Sequence, residues 1–212
     1  MVKGIRKWPV VQLEMVNAAK KVCNFSNKTN ISLGRKYIKS PIKYIKKNKA
    51  LYDLLGVRPG SSVFEIGPGV GYFLYICKEF GGCYVRAIDS RQIPGKNILY
   101  DQNSIYDSTL KELSIFDKVD TQCVQPAKKV SFYNKKYNYI VAIGGSFIRN
   151  WTIKDHKFFI KNCRNNLLLG GKILLQFNGD KVNSKIENFY KRISFHSGEQ
   201  CLYIIHKDID GV

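Results

Sequence analysis

Residues 63–73 read VFEIGPGVGYF, an apolar run with one acid that leads into a loop with glycine at alternate positions. The run predicts a buried strand over Ser62–Ile66, followed by a helix over Gly71–Phe80. Gly67 and Gly69 have no Cβ, so the loop backbone can turn tightly and approach a ligand closely. Free N–H groups at the start of the helix favour a carboxylate or another polar group. This stretch therefore predicts a ligand site at a strand-to-helix turn.

Strands alternate with helices along the chain from Ser61 onward. Such alternation predicts right-handed βαβ units, and so an α/β fold with a doubly wound, mostly parallel sheet and helices on both faces. Two runs near the C-terminus, Ile193–Phe195 and Cys201–His206, predict an antiparallel hairpin at the sheet edge. The remaining predicted elements are the strands Cys83–Ile88, Lys118–Val124, Tyr139–Ile143 and Lys172–Phe177 and the helices Ser104–Leu113 and Ile153–Leu169.

The glycine spacing distinguishes between classes of cofactor. A dinucleotide fingerprint, G-x-G-x-x-G/A, requires a small residue at position 72, where this chain has Tyr72. The observed pattern, acid-x-G-x-G-x-G beginning at Glu65, resembles the first motif of class I S-adenosylmethionine-dependent methyltransferases. In that family the acid lies near the methionine ammonium and the glycines pass under the cofactor. The resemblance implies S-adenosylmethionine as the cofactor, and a carboxylate beside a cationic ligand is electrostatically favourable.

Asp89 ends the next predicted strand, 18 residues after Gly71. An acid at this place can accept hydrogen bonds from both hydroxyls of a ribose. The alternative is a solvated acid at a strand end. Together with the glycine loop, Asp89 favours an adenosine-containing ligand.

Later stretches extend the resemblance over roughly residues 60–206. Tyr137–Gly145 is similar to the family's fourth strand, with Asn138 where an acid is usual, and Leu167–Leu175 is similar to the double-glycine turn into the fifth. The resemblance implies a seven-stranded Rossmann-like sheet with an antiparallel C-terminal hairpin strand. It also implies the following cofactor-binding residues: Glu65, Gly67, Pro68, Gly69, Gly71, Asp89, Ser90, Gln125, Ile143 and Gly144.

The loop after the fourth strand, residues 144–151, holds neither the Asn/Asp-Pro-Pro-Tyr signature of amino-group methylation nor a catalytic cysteine. The catalytic residues are therefore not identified, although Asp155 and His156 are candidates for a general base. Their alternative role is that of ordinary residues at a helix start. Candidates for an acceptor pocket are Phe147, Asn150 and Trp151, of which Trp151 has helix packing as its alternative.

The N-terminal region is strongly basic. Residues 1–50 hold 13 Lys and Arg against the single acid Glu14, within a chain of net charge +19. Either a polyanion such as RNA or DNA binds there, or the composition reflects an AT-rich genome. Lysines 43, 46, 47 and 49 form either a solvated helix face or a track for RNA. We expect residues 1–58 to form a helical extension packed on or capping the active site, and residues 59–212 to form the Rossmann-like domain.

Two helices are predicted within that extension. One spans Val10–Phe25, with Leu13, Val16, Lys20 and Cys23 along one face. Asn24–Arg35 predicts a loop, and Ser40-Pro41 begins a second helix that ends at Gly56.

Composition restricts the class of protein. A hydrophobic content of 44% indicates a globular chain, and no apolar stretch reaches the roughly 20 residues of a membrane span. The N-terminus lacks the apolar core of a secretory signal. The cysteines form no C-x-x-C pair and the three histidines show no zinc spacing, so we expect reduced thiols, no metal and a cytoplasmic protein.

The function predicted from the sequence is in-line methyl transfer from S-adenosylmethionine. The plain fourth-strand loop favours a small-molecule acceptor, while the basic N-terminal region favours RNA or DNA. Two alternatives share the fold: an aminopropyl transferase, and a non-catalytic module that binds nucleic acid.

Overall fold

The computed structural model describes residues 5–26, 35–89, 105–121, 130–144, 151–177, 183–194, 196–198 and 202–207. The helices are α1 (Trp8–Ser26), α2 (Arg35–Lys39), α3 (Pro41–Leu55), α4 (Tyr72–Tyr75), α5 (Ile105–Glu112), α6 (Ile153–Asn165) and α7 (Ser184–Ile193). A π-helical turn (Ile76–Phe80) continues α4. The strands are β1 (Ser62–Ile66), β2 (Tyr84–Asp89), β3 (Val119–Thr121), β4 (Tyr137–Ile143), β5 (Leu167–Gln176), β6 (His196–Gly198) and β7 (Leu202–His206).

The strands form one sheet in the order β3-β2-β1-β4-β5-β7-β6. β1 pairs in parallel with both β2 and β4, and β5 pairs in parallel with β4. β7 is antiparallel to β5 and to β6. The predicted α/β class, mostly parallel with an antiparallel C-terminal pair, is confirmed. The strand order reverses between β1 and β4, which places the topological switch point at the end of β1.

Each face of the sheet carries its own hydrophobic core, because successive side chains of a strand point to opposite faces. One face, called here the α3 face, buries Val63 and Val141 against α1, α3, α4 and α5. The other, called the α6 face, buries Phe64 and Ile140 against α6 and α7. A side chain's position in its strand therefore decides which core it joins.

The predicted α1 is present, but its buried face differs from the prediction. Leu13, predicted to face inward, is 58% exposed. The side chains that are buried repeat at helical spacing on a different side of α1. Two of them are alanines, which let the helix approach the α3 face closely. The buried side chains are Val11, Met15, Ala18, Ala19 and Val22. Of the predicted face, Val16 and Cys23 are partly buried and pack against this core.

α3 begins at Pro41 and ends at Gly56, as predicted, and Gly56 has the left-handed φ of 65° typical of a helix end. The end of α3 lies at the amino edge of the sheet. There Lys172 donates to the carbonyl of Leu55 (3.1 Å) and the Tyr139 hydroxyl donates to that of Gly56 (2.9 Å). Along its length α3 packs against α4, the helix that follows the glycine loop.

Three predicted elements in the C-terminal half are wrong in their bounds, and one of them is the strand predicted over Lys172–Phe177, which spans Leu167–Gln176. The helix predicted over Ile153–Leu169 ends at Asn165, and Leu167 instead starts β5 opposite Tyr137. The strand predicted over Ile193–Phe195 is replaced at Ile193 by the end of α7, and β6 follows at His196–Gly198. The missed helix has a signal at i, i+3, i+4 and i+7, since Ile186, Phe189, Tyr190 and Ile193 are all buried.

Within the described ranges, no helix is long and apolar enough to cross a bilayer. The same residues contain no group of three His, Cys, Asp or Glu side chains suited to a metal ion. Four described cysteines (Cys23, Cys77, Cys83 and Cys163) are free thiols.

Candidate cofactor site

The glycine loop joins β1 to α4 at the switch point. Gly67, Gly69 and Gly71 have φ values of 71°, 54° and 79°, in the left-handed region that other residues rarely adopt. The Gly67 N–H donates to the carbonyl of Ile88 (2.8 Å) and the Gly71 N–H to that of Pro68 (2.8 Å). The loop is thus a defined turn that ties β1 to the end of β2.

Gly69 and Gly71 are required for different reasons. A Cβ on Gly71 would lie 2.5 Å from Leu110 Cδ2 and 2.8 Å from Ile115 Cδ1, well inside contact distance. Among the described residues, the atom nearest to a Cβ on Gly69 would be Tyr106 Cε1, at 3.9 Å. Gly71 therefore serves the packing of α4 against α5, while Gly69 leaves open the space above the loop.

We predict that Gly71→Ala lowers the free energy of unfolding by about 2–4 kcal/mol, because overpacking adds to an unfavourable φ. Chemical denaturation measures the change. Gly60→Ala is the matched control, since Gly60 also has a positive φ (75°) but open space where a Cβ would lie. Its expected cost is about 1 kcal/mol from backbone strain alone. Equal losses in both variants would contradict the packing role of Gly71.

Glu65 lies in β1 with only 2% of its surface exposed. Among the described residues, its Oε2 has no hydrogen-bond partner. Burial, and then the nearby Asp89 charge, raise the pKa of Glu65 to about 8, against a backbone hydrogen bond from Leu74 that lowers it. A buried carboxyl with an unpaired oxygen is costly in isolation. A ligand cation beside it would supply the missing partner.

Asp89 ends β2 on the same face of the sheet as Glu65. Glu65 is in register with Ala87, and alternation places Asp89 one row further toward the carboxyl edge. Asp120, on β3, is in register with Ile88 and so belongs to the α6 face, where it pairs with Arg86 (2.7 Å). Asp89 is therefore the acid of this strand pair that shares a face with Glu65.

Gln176 is a residue of this site that the sequence analysis missed. It ends β5 in register with Ile143, and alternation from the α3-face residue Leu174 turns it to the same face. Its side chain is 4% exposed, and its Oε1 has no hydrogen-bond partner within the described residues. The available signal was a lone polar residue inside an otherwise apolar strand, ILLQF.

Residues at the same level on neighbouring strands form a row, and one such row on the α3 face forms the site along the carboxyl edge of the sheet. Its members are Asp89 on β2, Gly67 after β1, Ile143 on β4 and Gln176 on β5. Three strand spacings separate the two ends of the row, about 14 Å. That length accommodates a nucleoside cofactor together with a second reactant. Gly144 follows Ile143 directly and donates to the carbonyl of Gln176 (2.8 Å).

The candidates for a general base lie on the other face. Asp155 forms a capping box with Thr152, whose N–H donates to Asp155 Oδ2 (2.9 Å). His156 is buried, and its Nδ1 lies 2.7 Å from the Tyr190 hydroxyl. Trp151 packs against His156 and Phe159, with ring centroids 5.6 and 5.1 Å apart. These contacts give all three residues structural roles at the start of α6, away from the face that carries Glu65 and Asp89.

Four predicted site residues lie outside the described residues: Ser90, Gln125, Phe147 and Asn150. The structure brings together the other predicted cofactor residues, from the glycine loop to Gly144, at one edge of the sheet. Their chemistry suits S-adenosylmethionine. Glu65 offers an anionic oxygen to an ammonium or sulfonium group, and Asp89 offers two acceptors to ribose hydroxyls.

Comparison with known proteins bears on the fold. The sequence matches no protein-family profile and no curated protein. A methyltransferase structure from Pyrococcus furiosus is similar over 92% of this chain and 97% of its own, with a TM-score of 0.54 and 16% identity. An RNA methyltransferase from Salinibacter ruber, in complex with S-adenosyl-L-homocysteine, has a TM-score of 0.47 and 9% identity, covering 79% of this chain and 94% of its own.

A SAM-dependent methyltransferase from Geobacter sulfurreducens, also in complex with S-adenosyl-L-homocysteine, is 21% identical over 61% of this chain, with a TM-score of 0.43. The chain spans about half of that protein's length (47%). At these identities the likeness concerns the fold, and the Pyrococcus furiosus structure carries it over nearly the whole of both chains.

Proposed function

Starting from the Rossmann-like fold that this chain shares with class I methyltransferases, we propose that it is an S-adenosylmethionine-dependent methyltransferase. One observation carries the proposal. A buried carboxyl, Glu65, keeps an unpartnered oxygen beside a left-handed glycine loop, among the described residues. A cationic, ribose-containing ligand satisfies Glu65 and Asp89 together, and an anionic dinucleotide does not.

The site residues divide the cofactor between them. In this proposal Glu65 accepts from the methionine ammonium, Asp89 accepts from the ribose hydroxyls, and Gly67 and Gly69 keep the surface of the loop free of side chains. Pro68 and Gly71 hold the shape of the loop. The remaining members of the proposed cofactor set are Ser90, Gln125, Ile143 and Gly144.

The chemistry needs little from the protein beyond placement. When bound, S-adenosylmethionine supplies an electrophilic methyl group on a positively charged sulfur. Glu65 and Asp89 would hold it, and it would supply that methyl group to a lone pair of the acceptor, whose proton, where there is one, would pass to solvent. The chain's residues then act by aligning the reactants and excluding water. Gln176, at the far end of the row from Asp89, is placed to accept a hydrogen bond from an N–H or O–H of the acceptor.

Calorimetric titration with S-adenosylmethionine and S-adenosylhomocysteine tests the proposal. Wild type should bind both, and Gly69→Val should lose measurable binding while remaining folded, because a branched side chain would occupy the space above the loop. Gly170→Val is the control: Gly170 also has a positive φ (69°) and open surroundings, but it lies in β5 far from the carboxyl edge. Similar binding by both variants would refute the site assignment.

A transfer assay separates the proposal from its alternatives. Radiolabelled methyl groups should pass from the cofactor to one of four pools: RNA, DNA, protein or metabolites. Cofactor binding without transfer to any pool would favour a non-catalytic module. Preference for the decarboxylated cofactor would favour an aminopropyl transferase.

A further inference from the structure

A cluster of lysines covers α2 and the first half of α3. Their side chains are all exposed, and the cluster is called here the lysine surface: Lys36, Lys39, Lys43, Lys46 and Lys47. Lys36 and Lys39 are three residues apart in α2, and Lys43 and Lys47 are four apart in α3, so each pair lies along one side of its own helix.

Four members of the lysine surface have no acidic partner among the residues that the structure describes. Lys49 pairs with Asp53 (2.6 Å), but within the described residues no acidic side chain forms an ion pair with Lys36, Lys39, Lys43 or Lys46. Although Lys47 is exposed by surface area, partial desolvation and then the charges of Lys36 and Lys43 lower its pKa, so ammonium groups from both helices lie near one another. Positive charges held together in this way favour a polyanion.

Aromatic rings lie within the same surface. Tyr37 and Tyr44, both half-buried, pack edge to face with centroids 4.6 Å apart. The Lys36 ammonium lies 5.0 Å from the centroid of the Tyr37 ring. Lysines that contact phosphates, interleaved with rings on which bases stack, are the combination that binds single-stranded nucleic acid.

The lysine surface adjoins the glycine loop. The hydroxyl of Tyr72, the residue after Gly71, donates to the carbonyl of Tyr37 (3.2 Å). α3 also packs against α4, the helix that begins directly after the glycine loop. A nucleic-acid strand bound to the lysine surface is therefore directed toward the row of site residues that ends at Gln176.

We infer that the lysine surface binds the phosphate backbone of a single-stranded nucleic acid and directs it toward the cofactor site as the methyl acceptor. The binding step stands on the surface itself, and the role as acceptor rests on the proposed function. Lysines also attract an anionic membrane. The tyrosine pair and the contact with Tyr72 instead favour a single-stranded nucleic acid that reaches the cofactor site.

Fluorescence anisotropy with a labelled 20-nucleotide RNA, repeated with the DNA of the same sequence, tests the inference. Lys36→Glu/Lys43→Glu should weaken binding at least tenfold at 0.1 M salt. It should also reduce the slope of log K against log salt by about 1.4, for two lost phosphate contacts on a single strand. Lys157→Glu/Lys161→Glu is the control with equal charge change on exposed residues of α6, on the opposite face. The control should change binding less than twofold.

Three outcomes would overturn the inference: no binding by wild type, equal losses in both variants, or a loss confined to phosphatidylserine vesicles measured in parallel. S-adenosylhomocysteine calorimetry on the same variants keeps the two proposals apart. If RNA binding depends on Lys36 and Lys43 but the protein does not bind the cofactor, the proposed function is refuted and the binding step of the inference stands. If the protein binds the cofactor but its RNA binding does not depend on Lys36 and Lys43, the inference is refuted and the proposed function stands.

Discussion

Asp89→Ala should weaken the binding of S-adenosylhomocysteine at least about 100-fold, because two charge-assisted hydrogen bonds to a ribose contribute about 3 kcal/mol. Asp89 ends β2 at an edge of the sheet where the glycine loop and Ile143 share its row. Isothermal calorimetry measures the change in affinity, and circular dichroism establishes that the variant is folded.

Asp120→Asn is the matched control for this variant. Asp120 lies in the neighbouring strand β3 and is ion-paired with Arg86 (2.7 Å), but it lies on the α6 face. Removing its charge should leave cofactor affinity within about twofold, because exposed ion pairs contribute less than 1 kcal/mol and this one does not face the site. A larger effect at Asp120 than at Asp89 would mean that the ribose lies on the α6 face, against the proposed site.

Glu65 should make cofactor binding depend on pH. With a pKa of about 8, the buried carboxyl is mostly protonated at pH 7 in the free protein. A ligand ammonium requires the ionised form, so binding at pH 7 should release close to one proton. The association constant should rise about 50-fold between pH 6 and pH 8. Calorimetry in buffers of different ionisation enthalpy counts the proton. Glu65→Gln should bind weakly, with no proton release and no such slope.

The Glu65 carboxyl should also make the stability of the ligand-free protein depend on pH. Because the pKa of Glu65 is higher in the folded than in the unfolded chain, the folded state holds the extra proton between about pH 4.5 and pH 8. Stability therefore falls as pH rises through this window, by on the order of 3 kcal/mol between pH 5 and pH 8. Glu65→Gln should lose that contribution to the slope, as denaturation at each pH would measure. If the variant kept the wild-type slope, the pH dependence of stability would have to come from another group.

The central part of the fold was predictable because its sequence is locally consistent. β1 has the bounds predicted, and the glycine loop follows it with the left-handed φ values expected of its spacing. Periodicity also located α3, since Pro41 and Gly56 mark its two ends. These elements combine apolar pattern with a terminating residue, so two independent signals agree.

The misplaced elements lack such a terminating signal or depend on tertiary contacts. Leu167 continues the apolar pattern of α6, and only its pairing with Tyr137 across the sheet makes it a strand residue. Ile193 belongs to a helix whose buried face becomes evident only as a set with Tyr190 and Phe189. Helix and strand patterns over such short apolar runs are ambiguous until a partner strand is known.

Site residues divide in the same way. Glu65 and Asp89 were predictable as candidates because they lie next to a loop or a strand end with a motif of its own. Gln176 has no motif, and its relevance comes from sharing a row with Ile143 and from an unpaired buried oxygen, both properties of the folded sheet. The structural tasks of Asp155 and His156 likewise become evident only with their partners Thr152 and Tyr190.

A crystal structure of the protein soaked with S-adenosylhomocysteine tests the central claim most directly. We predict the methionine ammonium within hydrogen-bond distance of Glu65 and the ribose hydroxyls on Asp89, with the nucleoside lying over Gly67 and Gly69. A nucleoside bound elsewhere, or an ammonium with no contact to the Glu65 carboxylate, would contradict it.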